Sequence, residues 1–212
     1  MSKNRVTVYG AAWSVYVRIV RLALEEKSVP YSLIEVDVFA EAGVPAEHFE
    51  RHPFGRIPAF EHGDFRIYET SAIVRYVDEA FSGVTLQPED AKARARVNQM
   101  VSILDAYAYR ALVWDIFVER VISFQQGRQP DELKIAAAMP VAMTCLSELN
   151  RLATSGDFLC GSGVTLADIY AAPMFACFTQ APEGADLLLR HEKLRQWWWR
   201  FSQRDSMACT TA

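Results

Sequence analysis

No C-x-x-C pair occurs in this sequence. Its four cysteines, Cys145, Cys160, Cys177 and Cys209, are widely separated, which argues against a redox dithiol and a cysteine-ligated zinc site and leaves structural or incidental thiols. Basic residues are not in excess either. The formal net charge is −4, and neither half of the chain is a basic module, so the electrostatic footprint of a nucleic-acid binder is missing. Long hydrophobic runs are also lacking. The longest, Ile135 to Leu146, is too short to cross a bilayer and contains Pro140. The first residues enter a strand pattern at once, without the apolar core and small-residue cleavage site of a signal peptide. Together these absences predict a soluble, cytoplasmic protein with neither nucleic acid nor membrane among its partners. His48 and His52 share a helix face, but no H-E-x-x-H motif or cysteine pair accompanies them. They read as part of a polar surface, and no metal is expected.

What is present is ordinary globular composition. In 212 residues, 51% are hydrophobic and 23% charged, enough for a substantial core in one or two domains. Arg5 to Tyr9 alternates as a strand and ends at Gly10. Ser14 then stands where a helix N-cap belongs, ahead of Val17, Val20 and Leu24 at helical spacing. Tyr31 to Val38 reads as a second strand, and Ala46 to His52 as a short helix stopped by Pro53.

The stretch from Arg51 to Val77 is the densest in signals. Phe54-Gly55 is a turn, Ile57-Pro58 begins a strand running through Phe60, and His62-Gly63-Asp64 turns the chain into a strand from Phe65 to Tyr68. Pro58 is a cis candidate, since X–Pro is the linkage where cis is cheap and a strand's first residue tolerates proline. Glu69-Thr70-Ser71 opens a helix. Its hydroxyl and carboxylate suit a cap, while free amides there equally suit an anion. The element order predicts a right-handed βαβ unit followed by an antiparallel hairpin and a helix. That is a thioredoxin-like layout, with a four-stranded mixed sheet in which the loop before the first helix faces the proline of the third strand.

After a linker from Ser82 to Pro88 the chain is all helical. Val97, Met100, Val101, Leu104, Tyr107, Ala111, Trp114, Val118 and Val121 keep a helical period from Ala91 to Phe124. Asp131 to Ala153 forms a helix that Pro140 should kink or divide. Thr165 and Asp168 make a capping box, with Val164 and Ile169 placed for its hydrophobic staple, before a buried helix to Thr179. His191 to Ser202 forms the last helix. Trp197, Trp198 and Trp199 cannot all face one core, and one of them is expected to pack on the first domain or a partner. The tail after Asp205 is expected to be loose.

Ser14 with Arg18 four residues on, Pro53-Phe54-Gly55-Arg56-Ile57-Pro58 before the third strand, Glu69-Thr70 heading a helix, and the Thr165 to Asp168 box occur in order and at matching spacing. In these the chain resembles the cytosolic glutathione transferases over essentially its whole length, in the serine-type, phi-like or theta-like classes and their bacterial relatives. The resemblance implies a thioredoxin-like domain over 1–82 and an all-helical domain over 89–212. It implies glutathione as co-substrate, a small hydrophobic electrophile as second substrate, and a homodimer whose interface involves Phe65 to Val77 and the long helix.

Residue by residue, the resemblance makes Ser14 the catalytic hydroxyl beside the glutathione sulfur. It makes Thr70, with Glu69, the grip on the γ-glutamyl carboxylate. Ile57, before cis-Pro58, becomes the backbone edge that pairs with the cysteinyl part of glutathione, and Arg56 a lateral contact. Tyr9 is a rival for the sulfur, since other classes use a tyrosine near the end of the first strand. Phe39 to Val44 lacks the basic residue that phi-like chains often place there for the glycine end, leaving Arg56 or His52 to substitute. Trp13, Tyr16, Tyr107, Trp114 and Phe117 are candidates for the electrophile site, which is expected between the domains, although core packing explains Trp114 and Phe117 as well. With no cysteine before Cys145, thiol transfer is disfavoured against conjugation. Two alternatives share the first domain: a non-catalytic domain that binds glutathione or a hydrophobic ligand, and a glutathione-dependent lyase, isomerase or dehalogenase.

Overall fold

The computed structural model describes residues 5–211. The chain forms two compact units, one made of residues up to Val84 together with those from Arg204 onward, the other of Thr85–Gln203.

The first unit contains β1 (Val6–Tyr9), α1 (Val15–Glu26), β2 (Ser32–Ile34), a 3-10 turn (Ala46–Glu50), β3 (Ala59–His62), β4 (Phe65–Tyr68) and α2 (Thr70–Ala80). The strand order is β2-β1-β3-β4, with β1 parallel to β2 and antiparallel to β3, and β3 and β4 joined as a hairpin. This is the mixed sheet expected from the βαβ and hairpin signals. β2 is shorter than the stretch predicted for it. Its last pair is Ile34 with Tyr9, beyond which the four-residue β1 offers no further ladder. Val36 turns inward instead and packs with Tyr9 and Ala59. In α1, Val17, Ile19, Val20, Leu22 and Leu24 are fully buried, each stabilising the unit by about 1.5–3 kcal/mol relative to exposure.

The second unit opens with a helix spanning residues 91–125, α3, capped by Asp90, which accepts from the Ala93 amide at 2.8 Å. It is not one uniform α-helix. Ala91–Ile103 is α-helical, but Leu104–Ala108 and Arg110–Ile122 are wound as π-helix. The wider turn changes which side chains face inward. Leu104, Ala108, Leu112 and Ile116, four apart, are buried, while Tyr107 is exposed, so the predicted 3.6-residue stripe gives way to one of longer period.

α4 (Glu132–Leu152) starts at the Asp131 cap and runs through Pro140 without a break, so the proline does not divide it. α5 (Leu166–Phe178), α6 (Pro182–Leu189) and α7 (Glu192–Phe201) complete the unit. The fully buried Asp168 carboxylate ties three of its segments together. It accepts from the Thr165 amide and hydroxyl, from the Leu159 amide and from Trp197 Nε1, all at 2.8 Å. Burial pushes its pKa up. Trp197 lies in this core against Phe175, whereas Trp199 points to solvent. No helix among the described residues is long and apolar enough to cross a membrane.

The tail is not loose, and the boundary expected at 89–212 does not hold at its far end. Residues from Arg204 return to the first unit, where α8 (Asp205–Cys209) packs on α1. Two arginines of α1 hold it: Arg18 donates to Met207 O, and Arg21 to Cys209 O and Thr210 O, each at 3.1 Å. Arg204 makes a bidentate pair with Glu26 at 2.7 and 2.8 Å. Guanidinium groups suit the carbonyl end of a helix, which carries partial negative charge. Sequence periodicity is blind to this contact because the partners lie at opposite ends of the chain.

Candidate functional site

The sheet register brings the predicted site segments of the first unit to one end. Tyr9 pairs with both Ile34 and Ala59, and Ala59 pairs with Tyr68. The loop from Gly10 to Ser14, the segment after β2, the Arg56-Ile57-Pro58 approach to β3 and the Glu69-Thr70 start of α2 therefore all meet the sheet at the same end of its strands. Gly10 is where two of them touch. A Cβ there would lie 2.4 Å from Val17 Cγ2 and 3.1 Å from Ile57 Cβ, so only glycine lets the loop before α1 pass so close to the segment that opens β3. The Ile57–Pro58 bond is cis, as the sequence suggested.

Ser14 is the N-cap of α1 and is buried. Its Oγ accepts from the Val17 amide at 3.5 Å. That bond uses a lone pair and leaves the hydroxyl proton available to a further acceptor. Glu69 precedes α2 with φ 72 and ψ 115, the left-handed side of backbone space that residues with a Cβ rarely adopt. Its side chain is exposed and does not cap the helix. The first amides of α2, at Thr70 and Ser71, have no carbonyl behind them. A strained backbone, uncapped amides and the largely buried Thr70 at one helix start form a site for an anion.

Tyr9 is occupied elsewhere. Its hydroxyl donates to Glu61 Oε2 at 2.7 Å, and the Arg51 guanidinium lies 4.4 Å from its ring centre. Burial, then the bond to Glu61, raises its pKa. The histidines do not form the polar surface expected of them. His48 and His52 are 1% and 3% exposed; the two rings stack on each other, and His52 also meets Phe54. His48 Nε2 lies 2.7 Å from Arg56 O, and the His52 ring sits 4.8 Å from that of Tyr68. Burial lowers the His52 pKa, with Glu69 partly opposing. His52 is thus enclosed, and Arg56 is the exposed basic side chain of the pair.

Phe39 was missed from the sequence. Its ring stacks on Trp13 at 5.7 Å and 25°, and the two are 63% and 51% exposed, an apolar platform next in sequence to Ser14. The available signal was an aromatic residue in the very loop that lacks a basic one. Tyr16 lies on the first turn of α1, half-buried. Tyr107, Trp114 and Phe117 belong to the second unit, all on the π-wound part of α3, with Trp114 and Phe117 half-buried.

Comparison with known proteins accords with this geometry. The family model for the glutathione S-transferase N-terminal domain matches residues 8–85, and that for the C-terminal domain matches residues 133–197. The chain is 30% identical over 172 residues, 79% of its length and 80% of the relative's, to glutathione S-transferase hmp2 of Hypomyces subiculosus. It belongs to the glutathione S-transferase family.

Other members of that family match over nearly the whole chain. Glutathione S-transferase F12 of Arabidopsis thaliana is 26% identical over 203 residues, covering 95% of this chain and 94% of its own. The solved structure of glutathione S-transferase I from maize, in complex with an atrazine glutathione conjugate, is 25% identical and superposes with a TM-score of 0.83 over 97% of this chain and 96% of that one. Within this glutathione S-transferase the Ser14, Ile57, Glu69 and Thr70 segments come together at one end of the sheet, while the aromatic platform involves a residue, Phe39, outside the motifs.

Proposed function

We propose that this glutathione transferase holds glutathione along the open edge beside Ile57 and Pro58 and conjugates it to small hydrophobic electrophiles. The observation that carries the reading is the meeting, at one end of the sheet, of Ser14, the Ile57–Pro58 edge and the uncapped start of α2. The Thr70 hydroxyl and the first amides of α2 take the γ-glutamyl carboxylate, with exposed Glu69 beside them to meet the ammonium. The backbone of Ile57 pairs with the cysteinyl unit as an added strand would. Arg56 is the exposed cation offered to the glycine carboxylate.

Ser14 then faces the sulfur. A free thiol with pKa about 8.5 is only a few per cent thiolate at pH 7, and the thiolate is the nucleophile. The Ser14 proton donates to that sulfur at the amide end of α1, and both features favour the charged form. Lowering the pKa by about two units requires about 3 kcal/mol, which one charge-assisted hydrogen bond and a helix end supply. The thiol proton passes to solvent and sulfur forms a bond to the electrophilic carbon; an aryl halide then loses halide with the electron pair of the bond it breaks, whereas in an isothiocyanate the C=N pair moves to nitrogen, which takes a proton from solvent. The exposed Trp13–Phe39 stack offers the apolar surface on which an aromatic electrophile rests. Turnover of an activated aryl halide and of isothiocyanates by the wild type and by Ser14→Ala tests the assignment. Wild-type rates in the variant would remove Ser14 from the chemistry.

A second reading, a non-catalytic domain that binds glutathione or an apolar ligand, is favoured by the absence of a basic residue from Phe39 to Val44. Calorimetric titration with glutathione beside an electrophile panel separates the two, since tight binding without turnover selects the second. The cytoplasm and a homodimer complete the proposal, and exposed Phe54 and Phe65 offer apolar surface for self-association. Sedimentation as a 23.9 kDa monomer at micromolar concentration would overturn the dimer.

A further inference from the structure

We infer that His48 is a positioning residue that aims the Ile57 amide at the ligand. The inference rests on the reading of Ile57 as the glutathione-docking edge and adds a residue that touches neither glutathione nor electrophile. His48 lies on the 3-10 turn Ala46–Glu50 and is buried. Its Nε2 is 2.7 Å from Arg56 O. A carbonyl only accepts, so Nε2 carries the proton and donates it. Nδ1 is buried with no partner among the described residues, which suits a bare ring nitrogen and not a second N–H. The neutral imidazole is therefore held in one tautomer with a single polar task.

The consequence follows from peptide planarity. Among the described residues the cis peptide bond is Ile57–Pro58, so the Arg56–Ile57 bond is trans. In a trans peptide the C=O and the following N–H lie in one plane and point in opposite directions. Holding Arg56 O toward His48 turns the Ile57 N–H the other way, and that amide has no acceptor among the described residues. Without the imidazole, the Arg56–Ile57 plane is free to rotate about the flanking backbone dihedrals, and the docking donor loses its direction. The neighbouring Gly55, with φ 61, gives this loop no stiffness of its own.

The test is calorimetric titration of glutathione into the wild type, His48→Leu, His48→Gln and His48→Asn, with steady-state kinetics alongside. Glutamine places an amide N–H near the position of Nε2, asparagine falls short of it, and leucine fills the space without a donor. The expected result is affinity for glutathione about ten-fold weaker in the leucine and asparagine variants, with KM for glutathione raised and kcat at saturating glutathione unchanged. The glutamine variant should stay within about three-fold of the wild type. Equal affinity in all four, or equal loss in glutamine and asparagine, overturns the inference. If the leucine variant fails to fold, the glutamine and asparagine pair decides alone. A wild type that does not bind glutathione defeats the docking reading and this inference with it, whereas a binding wild type matched by all its variants defeats the inference only.

Discussion

The Tyr9 hydroxyl donates to Glu61 Oε2 at 2.7 Å, while the Ser14 oxygen, already accepting from Val17, keeps its proton to give. The two candidates for the sulfur therefore predict different pH profiles. In Ser14→Ala the rising limb of kcat/KM moves toward the pKa of a free thiol, about 8.5, and the rate at pH 6.5 falls about 10- to 100-fold. In Tyr9→Phe the limb stays where it is in the wild type. A displaced limb in Tyr9→Phe alone would transfer the role to tyrosine.

The aromatic platform predicts selectivity. Phe39→Ala removes one face of the Trp13 stack and leaves the segments that hold glutathione intact. For an aromatic electrophile kcat/KM should drop about 5- to 12-fold, as an aromatic contact of about 1–1.5 kcal/mol implies. Affinity for glutathione, read by titration, should not change. An equal loss with a small aliphatic electrophile would count against the platform.

His52 predicts a pH effect on stability. Burial lowers its pKa in the folded state below the ordinary 6.5, so as pH falls through that value the unfolded chain takes up a proton the folded chain resists. The unfolded state then binds more protons, and stability drops with falling pH. It is fully present above about pH 6.5. Urea midpoints at pH 7.5 and 5.5 should fall less between the two for His52→Gln than for the wild type, and parallel falls would remove His52 as a cause.

The clasp around α8 predicts a stability cost. Arg21 donates to the carbonyls of Cys209 and Thr210 and is itself buried. Arg21→Met should destabilise the first unit by about 2–3 kcal/mol, since hydrogen bonds from a charged donor contribute about 1.5–3 kcal/mol. Denaturant unfolding followed with and without residues 204–212 checks the source, since the mutation should add little once the tail is gone.

Local signals in the sequence were legible where their partners were close by. The Thr165 and Asp168 box, the Gly63 hairpin and the Ser14 cap join residues within a few positions, so propensity and spacing sufficed for them. The sheet followed from the handedness of βαβ and the tightness of the hairpin. Misreadings arose where a long-range contact decided the outcome. His48 and His52 have the spacing of a surface helix face, and it is contacts with the carbonyl of Arg56 and the rings of Phe54 and Tyr68 that accompany their burial. Along the π-wound part of α3 the buried residues include Leu104, Ala108, Leu112 and Ile116, a set that a 3.6-residue template does not pick out. Phe39 became visible as a site residue only when its ring met Trp13.

Arg21 and Thr210 are 189 positions apart, and this separation sets an order of events during synthesis. A ribosome adding about 5–20 residues per second completes β1 through α2 long before α8 exists. For about 6–26 s after α2 is complete the nascent first unit lacks the segment that Arg18 and Arg21 of α1 clasp, and the helix surface that α8 will cover stays open. The thioredoxin-like unit is begun before the helical unit and completed only after it.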